Sequence, residues 1–482
     1  MSSPALAPPF GLHDTRPNAL PPCPARKYAT LTFTRGAVVA LGIGLFGGLL
    51  SVAYTVPAIA ALLEPLGIDL RWTRPLHTIF GVAFVFLGGQ ALVHRYLQDV
   101  AGPITEPERW RLRIQVICWA VAGSGIALTL PLGITTGREY MSFHPIWSIP
   151  ILVGWLCFVW NFFGVVGRDF WRSPVFVTMW GVGALFFLYT FVEQHLWLIP
   201  EVFQDPIVDR RIQWKATGTL VGSFNLFVYG ALVYVGERLS GDNSYSRSRV
   251  AYALLGVGLL NSFTNYAHHT YHLPQSHLVK WVAFTVSMLE IIILFRAITD
   301  VWKLALDTTD RPFCQVRAFF GAAKWWSMAM LFTSLLISIP PLNTIVHGTY
   351  AIAGHAMGTM IGIDTMVLMG ALTTIIAENI RSTGDRPTPL HTGGVRRTVF
   401  ALNIAAFGMV AWLHVVGVVD GVSRYLTPQG AIYVRPEWLS ASSGPIFAVT
   451  GTVTFVCFAL LVGRWLPMLF ARHPRRAQVG GP

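Results

Sequence analysis

The chain has 482 residues, 53% of them hydrophobic and 12% charged, with a mean hydropathy of +0.54. A soluble domain carries roughly 25% charged residues, so half of the usual solvating surface is missing and a water-soluble globule is excluded. The formal net charge of +12 is spread along alternate loops rather than gathered in a patch, and it calls for no nucleic-acid partner. In chain order, residues 1–36 begin Pro-rich and polar, lack the compact apolar core of a signal peptide, and are expected to be a disordered cytoplasmic tail. A bilayer crossing needs about 20 apolar residues. Twelve segments provide them, near 37–62, 76–94, 112–133, 146–166, 174–199, 216–236, 250–271, 279–299, 319–339, 345–377, 398–421 and 444–470. The expected fold is all-α, a polytopic bundle of 12 transmembrane helices over 37–471, with a cytoplasmic tail at 472–482. Of the 35 Lys and Arg residues, 26 fall in the two tails and every second loop, which by the positive-inside rule places both termini in the cytoplasm. Cys23, Cys118, Cys157, Cys314 and Cys457 form no C-x-x-C pair, so neither a disulfide framework nor a cysteine metal site is expected.

Of the 14 histidines, six converge in depth. With spans alternating in direction, His77 opens the second span, His195 closes the fifth, His268 and His269 close the seventh, and His347 and His355 lie in the first third of the tenth. All six fall in the outer half of the bilayer. Ionisable side chains at that depth are costly and mark function by default, and helical bundles build metal and cofactor sites from facing helices. His268-His269 reads as a metal pair. His355, among Ala351, Ala353, Gly354, Ala356 and Gly358, reads as a haem ligand in space that small residues leave open, although small residues also serve close helix packing. Glu193, Glu290 and Asp364 are carboxylates inside apolar spans, suited either to proton transfer or to interhelical hydrogen bonds. Lys215 and Arg211, at the mouth of the sixth span, read either as partners for haem propionates or as snorkelling interface residues.

Five patterns together resemble subunit I of the haem-copper oxidase superfamily, and within it the large (cytochrome b) subunit of bacterial nitric oxide reductase. They are Arg74-Pro75-Leu76-His77-Thr78, Gly137-Arg138-Glu139-Tyr140, His268-His269-Thr270-Tyr271, Leu289-Glu290, and His347-Gly348-Thr349 with Ala353-Gly354-His355. The resemblance covers the first ten spans. It implies two b-type haems, one low-spin on His77 and one high-spin on His355, with His347 near a haem propionate. It further implies a non-haem iron (or copper) on His268 and His269, a calcium at Glu139, and Glu290 as the buried glutamate of the active site. The implied reaction is the reduction of nitric oxide to nitrous oxide. A common oxidase would carry H-x-x-x-Y in the fifth or sixth span, and neither span has it.

Two departures stand out. The family's second low-spin ligand falls at Met357, which reads either as a thioether ligand or as packing. The third metal histidine is expected near Thr217, yet no histidine occurs from 196 to 267. His195, with Glu201 beyond it, is the nearest candidate set. The alternative function is therefore a divergent relative with a degenerate non-haem site, acting as a haem-binding electron-transfer or gas-sensing subunit. No haem c or copper–thiolate motif is present, so electrons are expected from a cytochrome c or copper-containing subunit on the periplasmic side, or from quinol. The expected location is a bacterial inner membrane.

Overall fold

The computed structural model describes residues 23–241, 243–264, 271, 274–307, 315–382 and 393–470, with the backbone alone for 379–382 and 393. Every expected span meets a helix. These are α1 (Pro24–Tyr54), α2 (Leu70–Val100), α3 (Glu106–Thr129), α4 (Ser148–Val166), α5 (Val175–Glu193), α6 (Pro206–Ser240), α7 (Arg249–Thr264), α8 (His277–Asp307) and α9 (Val316–Ser338). α10 runs as Tyr350–Met357, a π-helical stretch Gly358–Thr365, and Met366–Ser382. α11 (Gly393–Leu426) and α12 (Glu437–Phe470) complete the set. Eleven helices among the described residues are long and apolar enough to cross a membrane. The other, α7, has 16 residues, and the rest of its expected segment, 265–270, lies outside the described residues, as do 1–22 and 471–482 of the two tails. Large apolar side chains such as Trp160, Phe332 and Phe400 are exposed on α4, α9 and α11, as a lipid-facing surface requires. The bundle is a multi-pass membrane fold.

Local chemistry sets the helix ends. Asp69 caps α2 by accepting from the Arg71 N–H at 2.7 Å, and Asp205 caps α6 through Ile207 and Val208 at 2.9 and 3.1 Å. Pro206 fills the first turn of α6, where no N–H is needed. Gly241, with φ of 76°, stops α6 in the left-handed conformation that glycine adopts without strain. α1 starts at Pro24, ahead of the expected boundary at 37. Its first turn is tied down because Arg26 is buried and donates twice to Glu108 of α3, at 2.7 and 3.0 Å.

The tenth span differs from the expectation in one useful way. A short helix, Pro340–Val346, comes first, and the chain then breaks at His347-Gly348-Thr349. Gly348 has φ of 73°, and Thr349 caps the new helix by accepting from the Ala351 N–H at 3.2 Å. His347 therefore lies in the link before α10, not within it, because a left-handed glycine ends one helix and a threonine begins the next.

α2, α5, α6 and α10 form the interior of the bundle. Two junctions fix their register. Gly88 of α2 abuts Leu368 and Leu372 of α10. At the side where Arg35 of α1 donates to the Leu469 carbonyl of α12 at 2.7 Å, here called the terminal side, four charges close a ring. Arg95 donates to Glu378 at 2.7 Å and to Asp99, while Arg238 donates to Asp99 at 3.2 Å and to Glu378. The ring ties α2, α6 and α10 together, and each of its side chains is less than one-fifth exposed. Glu378→Gln removes one acceptor charge and leaves both guanidiniums to share Asp99. Breaking such a pair costs about 3 kcal/mol. The variant is expected to unfold in detergent several degrees below the parent, and an unchanged midpoint would show that the ring carries no such load.

Candidate functional site

His77 is the eighth residue of α2. Its ring is held from α1. Nδ1 lies 2.8 Å from the Gly44 carbonyl, and since a carbonyl only accepts, Nδ1 carries the proton and Nε2 keeps its lone pair. Three α1 glycines allow this approach. A Cβ on Gly47 would stand 2.9 Å from the His77 backbone nitrogen, and one on Gly48 would stand 2.8 Å from Nδ1. A ring nitrogen tied to backbone with its mate left to face outward is how metal-binding histidines are oriented. His77 therefore fits a haem iron.

His355 lies in the second turn of α10, half-buried, with Nδ1 3.5 Å from the Thr333 hydroxyl of α9. Met357, two residues on, points about 200° away around the helix and packs against a buried apolar group that includes Met409, Leu413 and Val416 of α11. The two positions thus serve opposite sides of α10.

Of the expected metal site, the described residues include only His195 and Glu201. His268 and His269 lie outside the described residues. His195, just past α5, donates from Nδ1 to the Phe191 carbonyl at 2.7 Å, and its Nε2 accepts from the Ser148 hydroxyl at 2.6 Å. As placed, the ring has no lone pair left for a metal. Glu201 is exposed on the four-residue helix Pro200–Phe203, whereas Glu290 is buried. Among the described residues, no group of three or more His, Cys, Asp or Glu side chains is arranged to hold a metal ion. Glu139, in the loop between α3 and α4, accepts from Arg74 at 3.0 and 3.2 Å. A calcium there would compete with that guanidinium. The neighbouring Tyr140 phenol is pushed up to about 12 by burial and by the Glu139 carboxylate, so it stays protonated at neutral pH.

Glu290, in α8, sits in a polar cluster that the sequence reading did not foresee. The Tyr229 hydroxyl of α6 donates to one carboxylate oxygen at 3.1 Å, and the Asn261 amide of α7 donates to the other. Ser287 in turn donates to the Asn261 carbonyl at 3.3 Å. Gly258 leaves room for the carboxylate, since a Cβ there would lie 3.8 Å from its oxygen. Asn261 was the available signal, a side-chain amide in an apolar span; Tyr229 was hidden, because tyrosine is common in membrane helices. Lys215 is also engaged, donating to Glu193 at 2.5 Å and to the Tyr189 hydroxyl, while Arg211 donates to the Pro274 carbonyl at 3.0 Å.

His414 of α11 is the other residue that the sequence reading missed. Its Nδ1 lies 2.8 Å from the Val410 carbonyl, one turn back. Its Nε2 is buried without a hydrogen-bond partner. α11 lies beyond the spans that the sequence patterns cover, so nothing in them drew attention to it.

Two comparisons bear on these residues. The family described as Cytochrome C and Quinol oxidase polypeptide I matches residues 28–446. The chain is also 24% identical over 462 residues to the Cbb3-type cytochrome c oxidase subunit CcoN1 of Stutzerimonas stutzeri, across 86% of this chain and 88% of that one.

The His77 cradle is directly testable. Gly48→Ala places a methyl 2.8 Å from Nδ1 and forces the ring off the Gly44 carbonyl. Purified variant should hold less haem per chain by pyridine haemochrome assay at unchanged helical content, and full haem occupancy would show that the ring's fixed orientation is not needed.

Proposed function

Because this chain belongs to the cytochrome c and quinol oxidase polypeptide I family, the haem-copper oxidase subunit I superfamily, we propose that it is the haem-bearing catalytic subunit of an enzyme reducing nitric oxide to nitrous oxide. The family makes it a membrane oxidoreductase, and the choice of nitric oxide is our reading. One observation carries that choice. A carboxylate, Glu290, is buried in a cluster with Tyr229 and Asn261, as the resemblance to nitric oxide reductase implies for its active-site glutamate; the missing α6 histidine departs from both enzyme types and does not choose between them.

In this reading His77 holds a low-spin b haem and His355 a high-spin one, with His347 near a propionate and His268 and His269 on a non-haem iron. When bound, these groups supply electrons and bring two gas molecules together, replacing a bimolecular encounter by proximity. The overall balance is two NO, two electrons and two protons giving one N2O and one water. The chain's own task is the protons. Tyr229 and Asn261 hold the Glu290 carboxyl in one orientation, from which it passes a proton inward and is recharged. Electrons come from a partner, a cytochrome c subunit, a copper subunit or quinol, on the side opposite the termini. The termini lie in the cytoplasm by the positive-inside rule.

A second reading is favoured by His195, whose two ring nitrogens are both hydrogen-bonded, and by the lack of any histidine from 196 to 267. In it the chain carries haem for electron transfer or gas sensing without a working non-haem metal. Iron and haem are counted on one purified sample, and N2O is measured by gas chromatography after NO and a reductant are added. One iron beyond the haem count together with N2O supports nitric oxide reduction. Iron equal to haem with no N2O overturns it in favour of the second reading, and oxygen consumption without N2O overturns it in favour of an oxidase.

A further inference from the structure

We infer that His414 of α11, rather than Met357, supplies the second axial nitrogen to the haem held by His77. The inference rests on the haem-bearing reading above and goes beyond it in naming a ligand on a helix that the sequence patterns do not reach.

The ring of His414 is prepared as that of His77 is. Its Nδ1 is 2.8 Å from a backbone carbonyl, Val410 in one case and Gly44 in the other. Each ring is packed against glycine: a Cβ on Gly354 would stand 2.7 Å from His414 Nδ1, as one on Gly48 would stand 2.8 Å from His77 Nδ1. The carbonyl fixes the tautomer, so Nε2 carries a lone pair in both. In His414 that atom is buried with no donor to bond it. An unsatisfied buried polar atom costs about 1–3 kcal/mol, and such an exception calls for a missing partner. An iron ion is the partner that a neutral imidazole nitrogen suits best.

His195 and His94 lack this combination. His195 has both nitrogens engaged. His94, also with a buried unpartnered Nε2, has no carbonyl turning its ring and instead stacks on Phe33 at 4.7 Å.

Position agrees. α10 and α11 pack antiparallel through glycines, with Ala351 against Gly417, Gly354 against His414, and Gly358 against Val410. His414 is therefore abreast of Gly354, one turn from Met357 and nearer to its face than to that of His355. Depth is comparable to that of His77. From the contact of Gly88 with Leu368, both His77 and Met357 lie 11 residues back along their helices, a rise of about 16 Å along α2 and less along α10, whose Gly358–Thr365 stretch is π-helical. Met357 itself is partly buried and packs against a cluster that includes Met409 and Leu413 of α11, so its thioether already has an apolar role.

The test is spectroscopic and uses the intact purified chain. A bis-imidazole haem is expected, with the near-infrared charge-transfer band of that ligand pair rather than of an imidazole–thioether pair. His414→Gly should convert the low-spin signal to high-spin, and added imidazole should restore it. Met357→Leu should leave the low-spin spectrum unchanged. Low-spin haem that persists in His414→Gly but disappears in Met357→Leu overturns the assignment, as does an imidazole–thioether band in the parent. A parent protein that binds no haem overturns the haem-bearing reading itself, which separates the two failures.

Discussion

A bilayer interior provides no water to satisfy a polar group, and this deprivation governs the whole bundle. Every polar side chain carried into the apolar helices must find a partner inside the protein or wait for one that the protein binds. Arg26 finds Glu108, Glu290 finds Tyr229 and Asn261, and His195 finds Ser148 and Phe191. These pairings lock neighbouring helices in register more effectively than apolar contact does, because lipid tails are as apolar as leucine. His414 keeps one buried nitrogen without a partner while a carbonyl holds the other.

The architecture was legible in the sequence because it depends on composition and period alone. A scarcity of charge and repeated apolar runs of about 20 residues leave few folds open, and family membership follows from motifs that sit in those runs. His77 was legible for the same reason, as part of a local pattern. What composition could not show was pairing across helices. Tyr229 and Glu290 are 61 residues apart, and His195 and Ser148 are 47 apart. No periodicity links them, and only the packed register brings them together. The break at Gly348 was hidden too, since an H-G-T sequence at the mouth of an apolar run reads equally as a first turn or as a hinge between two helices. His414 shows a further limit: a histidine on a helix beyond the known motifs has no sequence context to mark it, and its meaning comes from one carbonyl and one glycine.

The same packing separates two kinds of chemistry. α10 presents His355 to one side and the Met357 face to the other, and α11 closes over the second through its glycine contacts. Glu290 and its donors belong to α6, α7 and α8, away from the α1–α2 cradle of His77. In the function proposed, electron entry and proton handling fall to different helix groups that meet at α10.

The ring of Arg95, Asp99, Arg238 and Glu378 has a consequence of another kind. It contains two positive and two negative charges and is neutral as a whole. A membrane potential does work of about 2.3 kcal/mol per elementary charge per 100 mV on a group that moves across it, but it does none on a neutral cluster displaced as a unit. An energised membrane carries a changing voltage whenever its redox enzymes turn over. A clamp built from one unpaired cation would be pulled by that voltage, and α2, α6 and α10 would shift with it. Closing the charges on themselves makes the junction of these three helices insensitive to the electrical state of the membrane in which they sit.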